Sequence, residues 1–119
     1  MTKLAMPKID RKLLSKKAII VDQLKKIIKF ENILAHEDET RPFETDALTA
    51  YKQKPLAVVF PENTLEVSKI LEFCNKERIK VVPRGAGTGL SGGSLPLADC
   101  ILLCLGKFNK ILEVDYKNR

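Results

Sequence analysis

Residues 85–93 hold five of the chain's six glycines, directly after the apolar run Ile79-Lys80-Val81-Val82 and its closing Pro83. Such a stretch cannot be the interior of a helix or a strand, because each glycine costs conformational entropy and contributes no packing. What it can do is bring successive backbone N–H groups to one point, since no Cβ keeps a ligand away. Converging N–H groups form a concavity for an anion such as a pyrophosphate. An ordinary surface loop seldom concentrates glycine in this way directly after a strand. Within Arg84–Ser94, Arg84 adds a positive charge expected at the mouth of the loop, and Thr88, Ser91 and Ser94 add small hydroxyl donors.

The segments before the loop define its setting. Leu56-Ala57-Val58-Val59-Phe60, ended by Pro61, has the length and composition of a buried strand. Asn63 is placed to cap a helix, with Glu66 three residues later in capping-box position. In that helix Val67, Ile70, Leu71 and Cys74 fall on one stripe, and Glu72 and Lys76 are spaced to pair on the wet side. Strand, helix and the strand Ile79–Val82 make a βαβ unit, which favours parallel pairing. After the loop, Cys100 to Leu105 and Ile111 to Asp115 read as further strands.

Two nucleotide-binding motifs are excluded by context. Gly87-Thr88-Gly89-Leu90-Ser91-Gly92 matches G-x-G-x-x-G, and Glu113 follows at about twenty residues. A Rossmann unit, however, starts a helix inside that motif. Here Gly93 and Pro96 follow, and then an apolar strand. Gly106-Lys107 precedes Phe108, not Ser or Thr, so it is not a Walker loop either.

The first half is of another character. Residues 1–8 read as frayed, and from Ile9 to Phe30 the residues Leu13, Leu14, Ile20, Leu24, Ile27 and Ile28 recur at helical spacing. An acidic connector follows (Glu37, Asp38, Glu39, Glu44, Asp46), with Pro42 inside it and a short helical turn expected from Asp46 to Tyr51. The net charge of +6 comes from the arm: residues 1–30 carry nine Lys or Arg against Asp10 and Asp22, and the remainder carries twelve against thirteen. No aromatic residue interleaves these lysines as a base-stacking platform requires, so a solvated helix face is expected and nucleic acid is not. No apolar run approaches a transmembrane segment or a signal-peptide core. The expected location is cytoplasmic. Three cysteines without a secretion signal do not make a disulfide framework. Cys100 and Cys104 lie on one face of a strand as small hydrophobes, and His36 is remote, so no metal site is expected.

Taken together, the strand Pro55–Pro61, the capped helix and Pro83-Arg84-Gly85-Ala86-Gly87-Thr88-Gly89-Leu90-Ser91-Gly92-Gly93 resemble the start of the FAD-binding domain of vanillyl-alcohol oxidase/PCMH-type flavoproteins. Phe43–Tyr51 and Lys107–Leu112 are similar to the glycolate oxidase D subunit and related D-lactate dehydrogenases. The resemblance implies FAD between two α/β subdomains, its diphosphate against Arg84, Gly85, Ala86, Gly87, Thr88, Gly89, Gly92 and Gly93. Some relatives attach flavin through a histidine in this loop; the matching position is Thr88, which implies a non-covalent flavin. The implied reaction is oxidation of a 2-hydroxy acid such as glycolate or D-lactate, with electrons leaving through further flavin and iron–sulfur subunits. Attachment to the inner membrane is then peripheral, through those partners.

The expected fold class is α/β (α+β). Residues 1–45 form a helical arm and acidic connector, and residues 46–119 the start of a truncated PCMH-type FAD-binding domain. No catalytic residue is assigned, because the family's cap and catalytic groups lie past Arg119, and the 119 residues alone are expected to be inactive. The alternative is a stand-alone module that binds another phosphate ligand or a partner without catalysis.

Overall fold

The structure is a computed structural model that describes residues 5–119. Residues 1–4 of the stretch read as frayed lie outside the described residues, and Ala5–Asp10 is exposed and without regular structure. The elements that follow are α1 (Arg11–Ser15), α2 (Lys17–Leu24), β1 (Ile33–Leu34), α3 (Glu37–Thr40), β2 (Ala57–Val59), α4 (Thr64–Lys76), β3 (Lys80–Arg84) and β4 (Cys100–Cys104). This is the mixed α/β arrangement the sequence implied.

The four strands form one sheet in the order β1-β2-β4-β3. β1 runs antiparallel to β2, and β4 is parallel to both β2 and β3. β2 and β3, the two strands of the expected βαβ unit, are therefore not neighbours; the later strand β4 lies between them. A strand flanked on both sides and covered on both faces must be apolar throughout. All five residues of β4 are accordingly buried. Pro83 is tolerated within β3 because that strand is at the sheet edge.

Two apolar layers cover the sheet. On one face Ala57, Val59, Ile101 and Leu103 pack with Ile20, Leu24 and Ile28 of the arm and with Ile70 and Cys74 of α4. On the other, Val58, Leu102 and Cys104 meet Phe43 and Phe60, whose rings contact edge-to-face at 5.7 Å. The arm thus shares a core with the sheet. In α4 the buried stripe runs through Val67, Ile70 and Cys74 with Phe73 beside it, whereas Leu71 is 45% exposed. Asn63 accepts from the Glu66 N–H at 2.9 Å, and the Glu66 carboxylate turns to the N–H of Glu62. The capping box is therefore displaced by one residue. Glu72 and Lys76 are both exposed and do not pair.

Two further expectations are corrected. Ile111 to Asp115 is not a strand: both edges of β4 are already taken, and Ile111 and Leu112 stand 85% and 93% exposed. Asp46 to Tyr51 is not helical, because the Asp46 carboxylate accepts from the Leu48 N–H and closes a local turn instead. The acidic connector has local order of its own. Glu39 accepts from the His36 N–H while His36 Nδ1 caps α3, and Arg41–Phe43 continues as a tight 3-10 turn.

Distant polar contacts fasten the arm. Asp99, 1% exposed, accepts from the Asp10 N–H and from Lys80 Nζ, each at 2.9 Å. Burial opposes the charge on Asp99, but those two donors outweigh it and hold the carboxyl below its usual range. Asp10 in turn caps α1 through the N–H groups of Lys12 and Leu13. Asn32, also 1% exposed, donates to Glu62 and accepts from Lys107, linking the end of the arm to the segments after β2 and β4.

Candidate functional site

β3 delivers Arg84 at its last position, and β4 begins at Cys100; the glycine-rich connection spans the gap between these paired strands. The loop begins and ends at fixed points. The Arg84 carbonyl accepts from the Leu105 N–H at 3.0 Å, and the Leu95 N–H closes a turn on the Gly92 carbonyl at 3.2 Å. Gly87 and Gly92 have φ of +73° and +78°, the left-handed region in which a side chain is strained. The other three loop glycines, Gly85, Gly89 and Gly93, are not left-handed, and a methyl group added at any of them would meet no atom within 4 Å. They face open space.

From Ala86 to Gly93, among the described residues, no backbone N–H donates to another protein group. Backbone donors are normally spent on a partner. A run of eight available N–H groups bent by two left-handed glycines is the donor set that an anion requires. Gly85, Ala86, Thr88, Gly89 and Gly93 are exposed, and Gly87 and Gly92 half-buried. Seven of the eight residues singled out from the sequence thus form one exposed, N–H-rich strip.

Arg84 is the eighth and lies elsewhere. It is 7% exposed, and its Nη2 donates to the Ser94 carbonyl at 2.7 Å. Its charge sits beneath the loop and not at the mouth. Nε of Arg84 and Oγ of Ser94 are buried there without a partner. Thr88 and Ser91 are both exposed.

The cysteines take no part. Burial pushes the thiols of Cys74, Cys100 and Cys104 up to about 11, so all three are neutral at ordinary pH. Among the described residues no group of three or more His, Cys, Asp or Glu side chains could hold a metal ion. A cleft of about 490 Å³ lies between the arm and the connector, lined by Leu14, Lys17, Thr40 and Leu56 among others. No loop residue from Arg84 to Ser94 contributes to it.

Sequence reasoning did not find the Ser94 carbonyl as the end point of Arg84, because a backbone acceptor leaves no mark in a sequence. It also missed the Asp99 and Asn32 junctions, whose partners are 89 and 75 residues away. The Asp10 cap was missed as well, although an Asp before a helical stripe is an N-cap signal that could have found it.

Comparison with known proteins agrees with this geometry. Residues 55–119 match the family described as FAD binding domain. Glycolate oxidase subunit GlcD of Escherichia coli strain K12 is 40% identical over 111 residues, covering 93% of this chain and 21% of that protein. The mitochondrial D-2-hydroxyglutarate dehydrogenase of Arabidopsis thaliana is 39% identical over 95 residues, 80% of this chain and 17% of that protein. The chain therefore spans about a fifth of the length of these relatives. Among solved structures, 4-ethylphenol oxidase from Gulosibacter chungangensis superposes with a TM-score of 0.72 at 24% identity, covering 95% of this chain and 22% of that one. That likeness shows the fold: the mixed α/β arrangement of this chain recurs in that oxidase. With more than half of its length matched, the chain belongs to the FAD binding domain family.

Proposed function

We propose that this chain is the FAD-binding opening portion of a flavin-dependent 2-hydroxy-acid oxidoreductase, of the glycolate and D-lactate type. The observation that carries the proposal is the uninterrupted set of available N–H groups from Ala86 to Gly93, inside the segment that matches the family. The residues present fit FAD: an exposed N–H strip, two left-handed glycines, open space beside Gly85, Gly89 and Gly93, and a guanidinium below. In this reading Gly85, Ala86, Gly87, Thr88, Gly89, Gly92 and Gly93 hold the diphosphate through the backbone, with the Thr88 hydroxyl as a further donor. Arg84 supports them from beneath. Thr88 offers no imidazole for attachment, so the flavin is bound non-covalently. When bound, FAD supplies a two-electron acceptor for the hydrogen at the α-carbon of the hydroxy acid.

The chain's contribution is binding and orientation, and no residue of it is assigned to proton transfer. The flavin-binding unit runs from residue 46, with residues 1–45 forming an arm that completes its core. The similar protein is named as a subunit of glycolate oxidase, which supports a multisubunit assembly; in this reading the electrons leave to further flavin and iron–sulfur subunits. Among the described residues no helix is long and apolar enough to cross a membrane. We place the protein in the cytoplasm, with any membrane attachment made through those partners.

The test is anaerobic reduction of the protein expressed from its complete reading frame and loaded with FAD. Glycolate, D-lactate and D-2-hydroxyglutarate are added in turn, following loss of the oxidised-flavin absorbance. Bleaching by at least one of them is expected. FAD that binds stoichiometrically but is reduced by no 2-hydroxy acid would refute the substrate class, and a protein that binds no FAD would refute the cofactor.

A further inference from the structure

Arg84 has an unusual place for an arginine beside an anion-binding loop. Its backbone ends β3, in register with Cys104 of β4, and its side chain is buried. A methyl group added at Gly87 would stand 3.5 Å from Cδ and 3.7 Å from Nε of Arg84, so the loop is laid directly over the arginine stem. The guanidinium then reaches the Ser94 carbonyl at 2.7 Å, at the far end of the loop. One side chain thus touches the beginning, the left-handed bend and the end of a segment whose own N–H groups make no contact from Ala86 to Gly93.

We infer that Arg84 is a positioning residue, an internal strut that pre-forms the glycine loop for the FAD diphosphate, and does not itself ligate the phosphates. This rests on the FAD reading given above. Without the strut, the loop must be ordered by the ligand at the moment of binding, and the backbone freedom lost then weakens the affinity. A hydrogen bond from a charged donor spans roughly tenfold to a hundredfold in an equilibrium.

The experiment compares the complete protein with its Arg84→Met and Arg84→Lys variants by three readouts. These are FAD affinity from flavin fluorescence, the salt dependence of that affinity, and backbone order parameters of the loop glycines from 15N relaxation of the flavin-free, 15N-glycine-labelled protein. Arg84→Met is expected to weaken FAD binding by about tenfold to a hundredfold and to lower the order parameters of the loop, with the salt dependence unchanged. Arg84→Lys keeps a buried donor and is expected to recover part of both effects; it carries the test if the Met variant does not fold. Unaltered affinity and order parameters in Arg84→Met would overturn the strut. Weakened binding with unaltered order parameters and a shallower salt dependence would overturn it in favour of direct phosphate contact. If the parent binds no FAD, the flavin reading fails and the ligand named here with it, while the relaxation comparison still reports whether Arg84 orders the loop.

Discussion

The five loop glycines are not equivalent, and alanine substitutions separate folding from ligand access. At Gly87 and Gly92 a Cβ meets no hard clash, the nearest atom at Gly87 being 3.5 Å away and none lying within 4 Å at Gly92. Their φ values of +73° and +78° nevertheless force an L residue into the left-handed region, at about 1–2 kcal/mol. Against this, alanine restricts the unfolded chain and returns roughly 0.4–1 kcal/mol. The net loss is on the order of 1 kcal/mol, a fall of about 4 °C in Tm for a domain of this size. Gly85, Gly89 and Gly93 have neither positive φ nor a neighbour, so alanine there is expected to leave Tm unchanged or slightly raised. The methyl group would instead project where the diphosphate approaches. Gly89→Ala should therefore weaken FAD binding at full stability, whereas Gly92→Ala should lower Tm. Differential scanning calorimetry without flavin, followed by FAD titration of each variant, reads both effects. A Gly89→Ala protein as destabilised as Gly92→Ala, or one that binds FAD like the parent, would refute the division.

Three further outcomes follow from other parts of the molecule. Arg78 closes α4 at φ +54°, with the Ile79 N–H on the Cys74 carbonyl, a position that glycine normally fills; Arg78→Gly should gain on the order of 0.5 kcal/mol in urea unfolding. Asp99→Asn weakens the clamp on Asp10 and Lys80 and should cost roughly 1–3 kcal/mol at neutral pH. Because the native carboxyl is held low, that stability is present above the unfolded carboxylate pKa of about 3.9 and is lost as pH falls through the lower native value; the difference between parent and variant should shrink across that window in acid unfolding. Cys74, Cys100 and Cys104, neutral and buried, should resist an aromatic disulfide reagent at pH 8 in the native protein and react together once it is unfolded.

What could be read from the sequence depended on how local the cause was. The glycine loop, the Asn63 cap, and the strands around Ala57–Val59 and Cys100–Cys104 are specified by contiguous residues, and each was found within a residue or two. The order of strands was not, because insertion of β4 between β2 and β3 is decided by packing of both sheet faces. Ile111–Asp115 has strand-like composition, but both sides of β4 are taken and the segment pairs with neither outer strand of the sheet, β1 or β3. Leu71 matched the helical stripe by spacing yet lies on its flank, since the sheet touches α4 along the narrower line Val67-Ile70-Cys74. At the site, the N–H strip was legible from glycine spacing, whereas the direction of Arg84 was not. A positive side chain beside an anion loop suggests a ligand contact, and only the path to Ser94 shows that it turns inward.

If residues 85–93 hold FAD by its diphosphate, amide hydrogen exchange of the complete protein reads that contact. Exchange is followed without ligand, with saturating FAD, and with riboflavin, which has the same ring system and no phosphate. FAD should slow exchange between Ala86 and Gly93, where the N–H groups have no protein partner, and riboflavin should leave those amides at their free rate. Stoichiometric FAD binding with the loop still exchanging at its free rate would contradict it.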